Sequence, residues 1–423
     1  MGRIEELMLR RSVKCGNGMC LAFDRGSGKS SRESELSARS LIHKRRGLAA
    51  LEANFRQAKH GYRVWAMCPA TFGGVGALLF FCTLQLLWQI SSACGAMAQD
   101  MPNQFVAALA AKVKLLEKEN AAAVAGVDGW LFLTADLRFL SAGRFWGDSA
   151  AAVSRAPRPD FADPLPAILD FNNQLKERGI HLLVVPVPAK AAIYPEKLVP
   201  EFTPVSGGAL TPLDNFYEKL REEGVDVLDL APRFLECRSK EHEDVFCKTD
   251  THWSGVGCVL AAQAIAERLR DILTGLRSPS TYASQWVEIS LEGDLSQLLG
   301  AEAEKPGPEK IPVRRIVDST AGSSVAPDPN SSLLLLGDSF TLVFHDFYAT
   351  NAGLLDQLAL ELGICPDLIG TRGSGASAVR VSLYRRAMKD PGYLAKKKIV
   401  IWCFASREFT EAAQGWPKLP LAK

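Results

Sequence analysis

Two hydrophobic patterns alternate along the chain from about residue 165 onwards. Continuous apolar, β-branched runs predict strands buried on both faces of a sheet, and amphipathic segments between them predict helices. The predicted strands are His181–Pro188, Val225–Leu230, Leu333–Leu336 and Lys398–Phe404. The predicted helices are Leu165–Arg178, Leu213–Glu223, Gly257–Leu273 and a part of Leu342–Leu362. This order predicts an α/β fold, a three-layer sandwich around a mostly parallel sheet.

The N-terminal part of the chain has a different pattern. Residues 1–63 contain 14 Lys and Arg against six Asp and Glu, and they predict a basic, weakly ordered tail on the cytoplasmic side of a membrane. Residues 64–98 carry no charge and are long enough to cross a bilayer. They predict a transmembrane anchor, or a signal segment cleaved after Ala96-Met97-Ala98, with a buried core helix as the weaker alternative.

The remaining segments complete the domain organisation. Residues 99–123 have helical composition and predict a stalk, and Gly126–Leu133 reads as a turn into a short strand. The folded domain is predicted to span residues 124–423. Residues 276–331 are rich in Pro, Gly and Ser, which predicts an insertion with little regular structure.

Composition narrows the function classes. A hydrophobic share of 47% and a charged share of 23% are typical of a globular protein. A basic tail on a mildly acidic body does not favour a nucleic-acid partner. No CxxC pair or Cys/His spacing indicates a zinc site, so no metal is predicted. Cys237 and Cys247 flank a short polar loop and could form a disulfide in an oxidising compartment.

The most informative local motif is LLLLGDSF, from Leu333 to Phe340. A buried strand ends at Gly337 and a helical pattern begins within a few residues, so Ser339 is expected at the carboxyl end of a parallel strand, where α/β folds place their sites. The following helix N-terminus would favour a developing oxyanion. On this motif alone, a nucleophilic serine and a simple helix cap are equally good interpretations.

The second motif is KTDTHWS, from Lys248 to Ser254. In an extended segment Asp250 and His252 point the same way, so the carboxylate could orient the imidazole and leave its other nitrogen free to take a proton from a serine. The alternative is a loop histidine that is merely satisfied by its neighbour. The other histidines have less suitable surroundings, and they are His43, His60, His181, His242 and His345.

Together these motifs resemble the SGNH hydrolase-like domain of alginate O-acetyltransferases of the AlgX and AlgJ type. The resemblance covers roughly residues 124–410, and DTHWSGVG at Asp250–Gly257 precedes GDSF at Gly337–Phe340 as it does in that family. The supporting pieces are GVDGWLFL at Gly126–Leu133, VVPVPAKAAIYPEKL at Val184–Leu198 and IWCFASRE at Ile401–Glu408. It implies Ser339 as nucleophile, His252 as general base and Asp250 as its orienting partner.

The resemblance also implies roles that the motifs alone do not. Gly373 is a candidate oxyanion donor, and Arg407 is a candidate substrate-binding residue or half of an ion pair. A membrane-bound O-acyltransferase would supply the acetyl group, and an exopolysaccharide or cell-envelope glycan would accept it. The enzyme would be anchored in the inner membrane with its catalytic domain in the periplasm, or secreted there. The alternatives are a carbohydrate esterase with the same triad and a non-catalytic glycan-binding assembly factor.

Overall fold

The structure is a computed structural model that describes residues 104–202, 212–240, 243–274, 282–300, 302–319, 324–373 and 375–421. The predicted tail and the predicted membrane segment at residues 64–98 lie outside these ranges. Within them, no helix combines the length and the apolar character needed to cross a bilayer.

The described part of the chain contains nine strands, fourteen α-helices and three short 3-10 helices at Gly147–Ser149, Pro159–Phe161 and Leu394–Lys396. The strands are β1 (Ala123–Ala125), β2 (Leu131–Leu133), β3 (His181–Val187), β4 (Asp226–Val227), β5 (Tyr282–Leu291), β6 (Glu309–Asp318), β7 (Leu333–Gly337), β8 (Asp367–Gly370) and β9 (Ile399–Ala405). The helices are α1 (104–118), α2 (Thr134–Ser141), α3 (Ala150–Val153), α4 (Pro164–Lys176), α5 (Lys190–Ile193), α6 (Pro195–Leu198), α7 (Leu213–Glu222), α8 (Ala231–Lys240), α9 (Gly255–Leu269), α10 (Asp294–Leu298), α11 (Ser339–Leu342), α12 (Leu354–Leu362), α13 (Ala376–Lys389) and α14 (Glu408–Glu411).

The central sheet has five parallel strands in the order β4-β3-β9-β7-β8. Every residue of β7 and β9 is buried, and because successive side chains point to opposite faces, both faces of the sheet must be covered. The predicted parallel α/β sandwich is therefore confirmed. The predicted strand at Val225–Leu230 is shorter than expected, since only the two residues of β4 pair with β3.

The segment predicted to be irregular is the clearest error of the sequence analysis. Residues 276–331 contain a long antiparallel hairpin, in which β5 and β6 pair from Tyr282↔Asp318 to Leu291↔Glu309, and the short helix α10. Val287, Ile289 and Leu291 recur at every second position, which is a strand pattern that the surrounding Pro, Gly and Ser obscured. One face of the hairpin packs on α9, where Gly255 lies so close to Pro312 that a Cβ atom would be 2.2 Å from its carbonyl oxygen.

The predicted stalk is helical but does not stand apart from the domain. Residues 104–118 form α1, and its apolar side chains are buried in the main hydrophobic core, namely Phe105, Leu109, Val113 and Leu116. Their spacing of three to four residues places them on one face of the helix. This part of the predicted stalk is therefore a packed element of the domain.

The disulfide suggested for Cys237 and Cys247 is not present. Both residues are buried thiols, and the Cys247 thiol donates to the carbonyl of Trp253, 3.3 Å away. Burial raises the pKa of the Cys247 thiol well above its usual range, so this side chain behaves as a small buried hydrophobe.

Candidate active site

Ser339 lies at the carboxyl end of β7, as the sequence predicts. The turn is tight, because a Cβ atom on Gly337 would lie 2.1 Å from the Thr341 methyl carbon and 2.3 Å from the Cys403 carbonyl oxygen. The helix that follows, α11, is a single turn, and the longer helix predicted nearby begins only at Leu354. Asp338 caps α11, since its Oδ1 accepts from the Phe340 N–H at 2.9 Å. The Ser339 hydroxyl is therefore left for another partner.

That partner is His252. Its Nε2 lies 2.7 Å from the Ser339 Oγ, and its Nδ1 lies 2.6 Å from the Asp250 Oδ1. The imidazole is buried and packs edge-on against the rings of Phe340 and Phe347, with centroid distances of 4.9 and 5.7 Å. The structure thus joins Asp250, His252 and Ser339 in one hydrogen-bonded line, which is the arrangement that activates a serine.

The Asp250 carboxylate is held by four donors. Its Oδ1 accepts from the backbone N–H and the imidazole of His252, and its Oδ2 accepts from the Asp294 N–H at 2.9 Å and the Tyr348 hydroxyl at 2.8 Å. Burial alone would raise the pKa of Asp250, but the hydrogen bond and charge of His252 and the two backbone donors outweigh it and lower the pKa well below its usual range. An ionised Asp250 favours the tautomer with the proton on Nδ1, so Nε2 can accept from Ser339.

The segment that carries the acid–base pair, residues 248–252, is called the base loop below. It has no regular structure, yet its backbone groups are paired with charged side chains from elsewhere. The Glu309 carboxylate accepts from the N–H groups of Lys248 and Thr249, both at 3.0 Å. Asp294 accepts from the Thr251 N–H at 2.7 Å and from its hydroxyl at 3.0 Å. These contacts fix the backbone on which the histidine stands.

Lys190 secures the other side of the base loop. Its ammonium is fully buried and donates to the carbonyls of Leu131, Lys248 and Asp250. Sequence reasoning did not assign Lys190, Asp294 or Glu309 to the site. Lys190 lies within Val184–Leu198, a segment that supports the family resemblance but carries no local signal of a role at the site. The two carboxylates come from the segment predicted to be irregular.

Three groups at the site are also of the metal-ligating type. One potential ligand atom each from Asp250, His252 and Asp294 lies within 4.8 Å of the others. The Asp250 oxygens and the Asp294 Oδ1 already accept protein hydrogen bonds, and the imidazole bridges Asp250 and Ser339. The triad geometry accounts for their proximity, and a cation bound there would have to compete with those hydrogen bonds.

Gly373 lies on the loop between β8 and α13. This loop is beside the turn formed by Gly337–Ser339. The Thr371 N–H donates to the Gly337 carbonyl at 3.0 Å, and a Cβ atom on Gly375 would lie 2.4 Å from the Asp338 Cβ. Gly373 itself has a φ of 84°, which favours glycine, and nothing lies within 4 Å of where its Cβ would be. Its role as an oxyanion donor remains a prediction.

Arg407 contacts a carboxylate of the fold. Its guanidinium lies 3.2 Å from Asp136, and the side chain is mostly buried. Burial would lower the pKa of Arg407, but the charges of Asp136, Asp338 and Glu408 outweigh it and raise the pKa. Of the two roles suggested for Arg407, the observed contact is the ion pair. It also brings the guanidinium close enough to Asp338 for the two charges to interact.

We therefore expect Arg407→Met to change the pH profile of the site. Burial raises the pKa of Asp338, and the charge of Arg407 opposes that rise. Without the cation the pKa of Asp338 should rise further, so its carboxylate is protonated at a higher pH and the Ala405 and Phe340 donors lose a full acceptor. The acid limb of a pH–rate profile should therefore move to higher pH. Arg407→Lys, which keeps the charge, should stay close to wild type, and a changed KM with an unmoved profile would favour substrate binding instead.

Comparisons with known proteins point to the same family as the sequence motifs. A family model described as "SGNH hydrolase-like domain, acetyltransferase AlgX" matches residues 123–404. A probable alginate O-acetylase AlgJ of Pseudomonas aeruginosa is 26% identical over 297 residues, 67% of this chain and 69% of the relative. A relative of the same name from Pseudomonas syringae pv. tomato is 24% identical over 300 residues, 70% of this chain and 71% of its own. The solved O-acetyltransferase domain of Pseudomonas putida AlgJ shares the fold, with a TM-score of 0.52 at 22% identity over 69% of this chain and 92% of that domain.

Proposed function

The chain belongs to the family of SGNH hydrolase-like domains typified by the acetyltransferase AlgX, which makes it an O-acetyltransferase, and we propose that Ser339 is the residue that carries the acetyl group. The observation that carries this proposal is the hydrogen-bonded line from the Asp250 carboxylate through His252 to the Ser339 Oγ. A serine hydroxyl at the end of a parallel strand is a poor nucleophile until an adjacent base takes its proton.

In the first half of the proposed reaction, the Ser339 Oγ attacks the carbonyl carbon of the acetyl donor while its proton passes to the His252 Nε2. The ionised Asp250 stabilises the imidazolium that forms. The backbone N–H groups of Ser339 and Gly373 are the proposed oxyanion donors. When the tetrahedral intermediate collapses, the proton on His252 goes to the leaving group and the acetyl group stays on Ser339 as an ester.

In the second half, a hydroxyl of the acceptor takes the place of the leaving group. His252, neutral again, removes the proton of this hydroxyl, and the acceptor oxygen attacks the acetyl carbonyl. Collapse of the second intermediate breaks the bond to the Ser339 Oγ, which recovers its proton from His252. The acetyl group has then moved from donor to acceptor, and the enzyme is unchanged. Water in place of the acceptor would make the same site an esterase.

The family and the N-terminal pattern support the proposed partners and location. Relatives are named alginate O-acetylases, which supports a polysaccharide as the acceptor, namely an exopolysaccharide or a glycan of the cell envelope. A membrane-bound O-acyltransferase is the proposed acetyl donor. The uncharged segment at residues 64–98 beside a basic tail supports an anchor in the inner membrane, or a cleaved signal, with the catalytic domain in the periplasm.

The direct test is to look for acetyl-Ser339. The purified full-length chain is incubated with p-nitrophenyl acetate, and the acetylated peptide is identified by mass spectrometry before and after addition of acetyl-free uronic-acid oligosaccharides or neutral glucan oligosaccharides. We expect one acetyl group on Ser339, which moves to an oligosaccharide. Ser296→Ala is the matched control, because Ser296 is also buried and its hydroxyl has no partner among the described residues.

Each of the other outcomes has a distinct meaning. If Ser339 never carries the acetyl group and an oligosaccharide still binds, the chain is a glycan-binding assembly factor rather than an enzyme. If acetyl-Ser339 forms and its acetyl group goes to water at the same rate with and without every oligosaccharide, the esterase alternative is correct.

A further inference from the structure

The loop that connects α11 to α12 reaches across to the triad. It spans residues 343–352 and is called the tyrosine loop here. Its Tyr348 donates a hydrogen bond from the hydroxyl to the Asp250 Oδ2 at 2.8 Å, and its Phe347 packs against the His252 ring. Tyr348 is 39% exposed, so this contact joins the surface of the protein directly to the buried carboxylate. No local sequence motif marks this residue.

The backbone of the tyrosine loop is unusual. Three residues other than glycine adopt left-handed φ angles within eight positions, Phe344 at 64°, Tyr348 at 66° and Asn351 at 62°. For bulky side chains such as those of Phe and Tyr this conformation is rare and costs free energy. Strain of this kind persists only where the surrounding structure enforces it, and it is found preferentially at functional sites.

Contacts at both ends enforce this conformation. His345 binds the Asp356 carboxylate at 2.9 Å, and the Ala352 N–H donates to the Phe344 carbonyl at 2.9 Å. Gly353 approaches so closely that a Cβ atom there would lie 2.6 Å from the His345 Cβ. His345, a candidate that the sequence analysis set aside, thus serves to fix this loop. The loop presents Tyr348 to Asp250 in one orientation.

We propose that the Tyr348 hydroxyl is a fourth, positioning member of the acid–base unit, an inference that rests on the proposed acyl transfer. Asp250 can orient the imidazole only if its own plane is fixed. On the Oδ2 side the Asp294 N–H and the Tyr348 O–H provide the two donors. Together they turn Oδ1 toward the His252 Nδ1. The hydroxyl acts through Asp250 and takes no part in bond making.

The test removes one oxygen atom. Tyr348→Phe keeps the ring and its packing but deletes the donor to Asp250. We expect the rate of Ser339 acylation by p-nitrophenyl acetate at saturation to fall about tenfold, because a hydrogen bond to a charged group is lost. KM should stay at the wild-type value, and the melting temperature should fall by no more than the few degrees expected for one lost hydrogen bond. Tyr384→Phe is the matched control, because Tyr384 is also only partly buried, lies within α13 and makes none of the hydrogen bonds that hold Asp250 or His252.

The outcomes separate this inference from the proposed function. If the wild type forms acetyl-Ser339 and Tyr348→Phe does so at the same rate, the positioning role is wrong and the acyl transfer stands. A slower rate that comes with a changed KM also contradicts the inference, because it would show a general loosening of the loop rather than a misoriented Asp250. If the wild type forms no acetyl-Ser339, both the proposed function and the inference are overturned.

Discussion

Replacing His252 by alanine is expected to lower the rate of Ser339 acylation by about 10⁴ while the domain stays folded. Among the described residues the imidazole is the base in contact with the Ser339 Oγ, at 2.7 Å. Without it the serine proton must go to solvent, although the site around Ser339 is almost closed, with only 9% of that residue exposed. The measurement is the release of p-nitrophenol from p-nitrophenyl acetate, together with the mass of the acyl-enzyme.

The size of the effect should depend on the triad acting as a unit. The double variant His252→Ala/Ser339→Ala should be no slower than either single variant, because the second loss removes a group that has already lost its function. His181→Ala is the matched control. His181 is the first residue of β3, at the amino end of that strand, and it pairs with Asp226 at 2.9 Å. A fall of less than tenfold for His252→Ala would exclude His252 as the base.

The sequence predicts the frame of the fold because its strands are buried on both faces. A run such as Leu333–Leu336 must lie in a sheet covered on both sides, whatever its neighbours are. The hairpin β5–β6 carries a weaker signal, since one of its faces is largely exposed and only every second residue is apolar. Its composition of Ser, Pro and charged residues is shared with true loops, so composition was the wrong guide there.

The same distinction explains what was predicted of the site. Asp250 and His252 are two residues apart, and Ser339 follows a strand end, so local spacing is enough to suggest each of them. Three other residues contact the base loop only through tertiary structure. Lys190 is 60 residues from its partner Asp250, Glu309 is 60 residues from Thr249, and Tyr348 is 98 residues from Asp250. No local pattern records such a pairing, and a single sequence cannot distinguish these three from ordinary surface residues.

The buried ammonium of Lys190, which supports the base loop, is expected to contribute more to the stability of the domain than the triad itself. We predict that Lys190→Met will lower the free energy of unfolding of the domain by about 3–5 kcal/mol. The methionine fills a similar volume, but the carbonyls of Leu131 and Asp250 lose their donor inside the protein. The charge of Lys190 also offsets the nearby carboxylates of Asp250, Asp294 and Glu309, and burial lowers its pKa against their attraction. Replacing the ammonium therefore removes this attraction as well as the donor to the buried carbonyls.

Lys248→Met is the matched control for this prediction. Lys248 lies on the same base loop, but its side chain is 43% exposed and faces Asp244 at 3.6 Å. Because an exposed ion pair contributes little, its loss should change the free energy of unfolding by no more than about 0.5 kcal/mol. Urea unfolding followed by tryptophan fluorescence would compare the two variants with the wild type. Equal stability of the two variants would show that the base loop does not depend on the buried ammonium. The hydrogen bonds that its backbone donates to Glu309 and Asp294 would then be sufficient to hold it.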